Sequence, residues 1–290
     1  MKASRFLPSR KSSNSRQHNA SAFFHAGNLT DFDIERGFTM AKFINGHTNY
    51  EEWRNVDRKT NNLYLARLAV TAKGITEFSD EFALVNAINV SEMSGKLEGY
   101  YSVSTSVLMN PICQARAKDP ESICSKCYAA ATASRYSGLA DALETNYKIL
   151  NGFLISELAW STLAWPTTNG DARIESFGDV ASVTCARNYL RIIKTHPHLN
   201  FAVWTKNPGI WKAAIKAEGG KPKNMKYILS SNKVNEPQEF DAESMALADH
   251  RFTVHDNNSN VTINCGGRKC ATCRRCYADN TEFDVAERLK

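Results

Sequence analysis

Apolar and polar positions along the chain change rhythm near residue 100. Before that point the spacing predicts helices over 49–56, over 61–70 with Leu63, Leu65, Leu68 and Val70 as apolar positions, and over 78–88. From Tyr100 the aromatic and β-branched run 100–108 predicts a strand. Leu139, Leu143, Tyr147, Leu150, Leu154 and Leu158 then fall at helical spacing and predict a helical region with one buried face. A strand follows over 172–177, ending in Gly178-Asp179, and Val183, Ala186, Leu190 and Ile193 mark a helix that stops before Pro197. The run 201–205 predicts the next strand, Pro208 suits the first turn of the following helix, and Gly219-Gly220 suits its end. Short strands are expected over 225–230, 251–255 and 261–264.

Repeated strand and helix units with short turns predict an α/β fold: a mainly parallel sheet covered by helices, which right-handed crossovers would curl into a full or partial parallel β/α barrel. Four segments result: a basic arm over 1–35, a mainly helical N-terminal extension over 36–98, a barrel-like domain over 99–262, and a Cys-rich tail over 263–290 expected to form a metal knot. In such sheets ligands gather at the carboxyl ends of the strands. The cysteine loop after the first strand, Gly178-Asp179, Thr205-Lys206-Asn207 and Ser230-Ser231-Asn232 all fall there. That coincidence predicts an active site.

Composition narrows this picture. With 290 residues, 42% of them hydrophobic, the chain can bury a real core without cysteine staples. No run approaches the roughly 18 apolar residues that span a bilayer, so no membrane role is expected. The net charge is +6, and residues 1–30 hold Lys2, Arg5, Arg10, Lys11 and Arg16 but no acid. Such an arm can displace counterions from nucleic-acid phosphates, although a solvated tail is the plainer reading. An organelle transit peptide is the other alternative, but its apolar residues lack a steady helical period. Clustered cysteines in a chain of this length point to metal ligation in a reducing cytoplasm and away from a secreted disulfide framework.

Seven of the eight cysteines lie in two groups. Cys113, Cys124 and Cys127, spaced C-x10-C-x2-C, can hold three corners of a [4Fe–4S] cluster and leave the fourth iron open. A zinc completed by a remote residue is the alternative, with His47 and His196 the nearest histidines in sequence. Cys265, Cys270, Cys273 and Cys276 supply four thiolates, enough for a closed zinc site or a second iron-sulfur cluster. The C-x2-C-x2-C spacing there is that of bacterial ferredoxins, and Arg268, Lys269, Arg274 and Arg275 would suit an anionic thiolate site or a nearby phosphate. Cys185 reads as a small core residue.

The segment Cys124-Ser125-Lys126-Cys127-Tyr128-Ala129, coming after a first strand, resembles the radical S-adenosylmethionine superfamily and the three-Cys-motif proteins of phages. Together with Arg173-Ile174-Glu175-Ser176-Phe177-Gly178-Asp179, Trp204-Thr205-Lys206-Asn207 and the cysteine-rich tail, it more closely resembles the phage gene product 88 family over roughly residues 100–280. The chain departs from the radical superfamily in placing ten residues between Cys113 and Cys124, where that superfamily places three. The resemblance implies an iron-sulfur enzyme that binds S-adenosylmethionine and needs an electron donor, in a host cytoplasm if phage-encoded. It implies cofactor contacts from Tyr128, Phe177, Gly178, Asp179, Thr205, Lys206, Ser230 and Asn232, with Asp179 set to pair the cofactor's ammonium. One rival is a zinc-containing, transglycosylase-like enzyme that modifies a nucleobase, with Asp179 or Asp256 as nucleophile or acid-base group, although no histidine follows Cys276 to complete that family's zinc site. The other is a zinc-stapled nucleic-acid-binding protein.

Overall fold

The computed structural model describes residues 78–289 apart from 153, 168, 267 and 280–282. The expected basic arm and the helices over 49–56 and 61–70 lie outside the described residues. The expected helix at 78–88 is α1 (Phe78–Asn86). The strands are β1 (Ser91–Glu92), β2 (Tyr101–Val103), β3 (Asp171–Ile174), β4 (Asn200–Thr205), β5 (Met225–Val234), β6 (His250–His255) and β7 (Asp284–Arg288). They form one sheet in sequence order, parallel throughout except for the antiparallel pair β1 and β2. The fold is therefore mixed α/β with a mostly parallel sheet, and among the described residues the sheet is open, with β1 and β7 as its edges, and closes into no barrel.

Between β2 and β3 the chain runs through α2 (Pro111–Ala117), a 3-10 turn (Ile123–Lys126), α3 (Tyr128–Arg135), α4 (Ser137–Gly152) and α5 (Glu157–Trp160). Later crossovers carry α6 (Val183–Thr195), α7 (Pro208–Ala217) and α8 (Ala242–Leu247), while α9 (Cys270–Cys273) is a single turn in the tail. The apolar stripe read over 139–158 is split between α4 and α5, because Ser156 caps a new helix by accepting from the Ala159 amide. Ser182 caps α6, and α7 starts at Pro208 and ends at Gly219 and Gly220, both at positive φ.

Alternation along the strands gives the sheet two apolar layers. On one face Val103, Ala172, Ile174, Phe201, Val203, Tyr227 and Leu229 pack against α1, α4, α5, α6 and α7 in the main core. On the other, Tyr100, Ala202 and Ile228 form a smaller layer covered by Met93 and Tyr277. The second layer is thus closed by the tail.

Three expected strands are corrected. The run 100–108 forms only β2, since Ser104 and Thr105 leave the ladder to bond with Ser176 and Glu175. The run 172–177 ends at Ile174 because Glu175 has φ 57, a left-handed conformation that no strand continues through. No strand forms over 261–264; Cys265 makes an isolated bridge with Glu287, and the strand at that edge is β7.

Candidate functional site

The first cysteine group sits on a loop tied to the carboxyl ends of β3, β4 and β5. Asn110 begins it: its Oδ1 caps α2 by accepting from Ile112 and Cys113 amides, and its Nδ2 donates to the Asp179 carbonyl at 2.7 Å. Asn110-Pro111 is an N-cap followed by a proline at the first helical position, so α2 and with it Cys113 are fixed against the loop after β3. One turn on, Arg116 donates to the Lys206 carbonyl and Asn207 Oδ1, both at 2.8 Å, reaching the end of β4. Ser122 caps the 3-10 turn and donates to Asn232 Oδ1 at 2.8 Å, reaching β5 beside Cys124. Cys127 caps α3, whose first residue, Tyr128, has an exposed ring and donates its hydroxyl to the Ser176 carbonyl at 2.6 Å.

Beneath this loop lies a carboxylate pair. Glu175 is buried and accepts from the Thr105 amide (3.0 Å), the Thr105 hydroxyl (2.6 Å) and the Tyr189 hydroxyl (2.8 Å). Burial pushes its pKa up from 4.5 to about 7, against the pull of the Thr105 and Tyr189 hydrogen bonds and with a further push from Asp179. A Cβ at Gly178 would lie 2.6 Å from Glu175 Oε2 and 2.8 Å from the Thr105 carbonyl, so only glycine lets these three segments approach. Non-glycine backbone at positive φ beside a tight glycine is the kind of strain that surrounding contacts must hold in place.

Asp179 is also buried, and its carboxylate is engaged by neighbouring segments. Its carboxylate accepts from the Thr205 hydroxyl (2.7 Å), the Lys206 amide (2.7 Å) and the Val180 amide (2.8 Å), with Arg116 at 3.8 Å. Burial raises its pKa, opposed by the bonds from Lys206 and Thr205. It caps no helix, since Ser182 caps α6. Its work is to clamp the loop after β3 to the end of β4.

The sequence-predicted contacts therefore fall at one edge but not with equal access. Asp179, Thr205 and Lys206 are partners of one another; Phe177 and Tyr128 stand with ring centroids 6.1 Å apart; Asn232 meets the cysteine loop. Ser230 is buried in β5, paired with Phe252 of β6. Sequence reasoning missed Glu175, Thr105, Tyr189, Asn110 and Arg116. The Asn110-Pro111 cap was visible as a motif, whereas nothing in the sequence marks the left-handed turn at Glu175.

Burial, Asp179 and Glu175 push the Cys113 thiol up to about 12, and Cys124 and Cys127 add to the effect. At Cys113 this surrounding of carboxylates and thiols disfavours a bare thiolate and favours a cation nearby.

The second group reaches from the amino end of β3, through Arg274 and Tyr277, to Glu287 of β7, through Cys265. Arg274 Nε and Nη2 bind buried Asp171, the first residue of β3, at 2.8 and 2.9 Å. Tyr277 stacks on Tyr100 at 5.2 Å and donates to the Ala172 carbonyl. Lys96 donates to Cys265 Sγ at 3.1 Å and Glu287 at 2.6 Å; burial would lower its pKa, but those two partners raise it well above the ordinary lysine value. Burial pushes Cys276 up to about 12, with Cys265 adding to the push, Arg173 opposing it and Cys270 and Cys273 adding further. Cys270 is also raised by burial, with Lys96 and Arg173 opposing.

In donor type both groups suit a thiolate-bound metal, but among the described residues no three His, Cys, Asp or Glu side chains are gathered so as to hold a metal ion. No helix of the described residues is long and apolar enough to cross a membrane. A family model described as gene product 88 matches residues 92–279, more than half of the chain. No match was found among curated proteins or among solved structures.

Proposed function

From the premise that this chain belongs to the gene product 88 family, we propose that it is an iron-sulfur protein and an enzyme of the radical S-adenosylmethionine kind, working at the carboxyl edge of its parallel sheet. One observation carries this reading: the segment holding Cys113, Cys124 and Cys127 directly follows the first parallel strand and is bonded to the ends of the next three. Strands β2 to β7 run parallel in sequence order with the main helices on one face, which supports a barrel-like reading of the sheet. Cys113, Cys124 and Cys127 would hold a [4Fe–4S] cluster. When bound, that cluster would supply one-electron chemistry and an open iron for S-adenosylmethionine, with an external electron donor.

The chain's own contribution is placement. Asn110, Arg116 and Ser122 hold the cysteine segment in register with β3, β4 and β5. Gly178 keeps the backbone close to Thr105, and Asp179 positions Lys206 and Thr205. Phe177 and exposed Tyr128 offer an aromatic wall beside the cysteines. The four tail cysteines would take a second cluster or a zinc, closed by four ligands and structural in role. A transglycosylase-like reading has less support, since Asp179 is buried with its oxygens occupied.

Iron, sulfide and zinc analysis of anaerobically purified protein tests the proposal. Brown protein is expected, and replacing Cys113, Cys124 and Cys127 by Ala should remove about one cluster's iron while the tail keeps its metal. Colourless protein that holds only zinc after reconstitution would sink it. A cluster whose paramagnetic signal ignores S-adenosylmethionine would leave an iron-sulfur protein and remove the radical-enzyme part.

A further inference from the structure

Two buried donors without acceptors lie beside the tail cysteines. Tyr100 and Tyr277 stack with ring centroids 5.2 Å apart, but their hydroxyls fare differently. Tyr277 donates to the Ala172 carbonyl at 3.0 Å, while the Tyr100 hydroxyl is buried with no hydrogen-bond partner among the described residues. Asp171 lies near it in charge, but its oxygens are bonded to Arg274 at 2.8 and 2.9 Å and to Asn200 at 3.3 Å. Arg173 repeats the pattern. Its guanidinium lies 3.7 Å over the Trp204 ring, and its Nε is buried without a partner. Unpaired buried donors are rare in folded proteins, so each calls for an acceptor. Cys270 and Cys276 pack against the apolar layer to which Tyr100 belongs, and the charge of Arg173 opposes the upward push that burial gives both thiols. A third donor, Lys96, already reaches Cys265 Sγ at 3.1 Å. A thiol accepts such bonds weakly, whereas a charged thiolate takes stronger ones from N–H and O–H groups.

We propose that Tyr100 and Arg173 are outer donors to the tail metal: with Cys265, Cys270, Cys273 and Cys276 closed on it, their free O–H and N–H groups donate to the sulfurs of Cys270 and Cys276. Lys96 serves Cys265 in the same way. The inference rests on the tail metal of the proposed function and adds the groups that hold its thiolate charge inside the sheet's smaller apolar layer. The recognition chemistry, N–H and O–H donors to metal-bound sulfur, is the same for a zinc and for an iron-sulfur cluster.

Cobalt(II), under reducing conditions, is the probe. It is titrated into a full-length parent carrying Cys113→Ala, Cys124→Ala and Cys127→Ala, so that thiolate-to-cobalt absorption reports the tail alone. Tyr100→Phe and Arg173→Met, each added to that parent, should weaken cobalt binding about tenfold or more. Metal-free Tyr100→Phe should melt at or above the metal-free parent, since it removes a buried hydroxyl that has no acceptor, whereas the cobalt-loaded variant should melt below the loaded parent. A residue that only packs would act alike in both states. If Arg173→Met does not fold, Tyr100→Phe decides alone. Reconstitution with iron and sulfide distinguishes the sources: poorer retention of cluster iron by the variants assigns the donors to a cluster, and an effect on cobalt and zinc alone assigns them to a single ion. Cobalt held equally by parent and variants overturns this inference and leaves the tail metal standing. A parent that gives no cobalt-thiolate absorption and retains no iron removes the tail metal from the proposed function, and this inference falls with it.

Discussion

Glu175 is a buried carboxyl whose pKa is raised to about 7 by desolvation, and that fixes how it acts on stability. The folded state holds this proton more tightly than the unfolded chain, whose value is 4.5. The group therefore favours folding fully below about 4.5, loses that contribution between about 4.5 and 7, and adds nothing more above it; a shift of this size corresponds to about 3 kcal/mol. Glu175→Gln should flatten the fall in urea stability across this window, because an amide can meet Thr105 and Tyr189 without ionising. If parent and variant lose stability equally between those limits, Asp179 or another group carries the effect. Sequence pattern revealed Gly178 and Asp179 as residues at a strand end, and the structure keeps them there. What it could not reveal was direction: Asp179 turns inward to Thr205 and Lys206, and the strained backbone at Glu175 depends on contacts with Thr105 and Tyr189, distant in sequence.

Elements with one strongly apolar environment were the legible ones. Strand β4 buries Phe201, Ala202, Val203 and Thr205, and α6 buries Cys185, Ala186, Tyr189, Leu190, Ile192 and Ile193 along one stripe, so their apolar runs stand out in the sequence. Strand β7, Asp284 to Arg288, alternates too briefly to register, and its partner β6 lies more than two dozen residues upstream. The tail reads as a metal motif, but in the structure it is also a clasp across the sheet. Arg274, at φ 49, places its guanidinium on Asp171, which is 1% exposed, while half of the arginine side chain remains in solvent. Arg274→Ala would leave that carboxylate buried with, among the described residues, Asn200 Nδ2 at 3.3 Å as its side-chain donor. Removing one partner of a buried pair is costly, and solvent at Arg274 reduces the cost, so a loss of about 1 to 3 kcal/mol is expected. Denaturant unfolding measures it, and faster proteolysis between residues 263 and 279 should accompany it. An unchanged midpoint would mean the tail is held by Tyr277 and Lys96 without this clasp.

At the scale of the whole molecule the two cysteine groups serve different ends of the same sheet. The first is bonded through Asn110, Arg116 and Ser122 to the carboxyl ends of β3, β4 and β5. The second closes the smaller apolar layer through Arg274, Tyr277 and Lys96 near the amino ends and the β7 edge. Among the described residues their hydrogen-bond partners differ; Arg173, whose guanidinium lies 3.7 Å over the Trp204 ring, acts electrostatically on Cys270 and Cys276 and on Tyr128 beside Cys127, and Glu287 acts on Tyr128 too. Under the proposed function this separation has a measurable consequence. Cys270→Ala with Cys273→Ala should lower the melting temperature and remove the tail's metal, because binding free energy at a closed site is folding free energy. Replacing Cys113, Cys124 and Cys127 by Ala should remove the other metal with a smaller stability loss, since the cysteine loop is already held by its hydrogen bonds. Sites without shared partners act independently, so the combined variant should lose the sum of the two stability changes to within about 0.5 kcal/mol. A combined loss far from that sum, or loss of both metals from either set of substitutions, would mean that the cysteines act as one centre and that the division between a working edge and a structural plug is wrong.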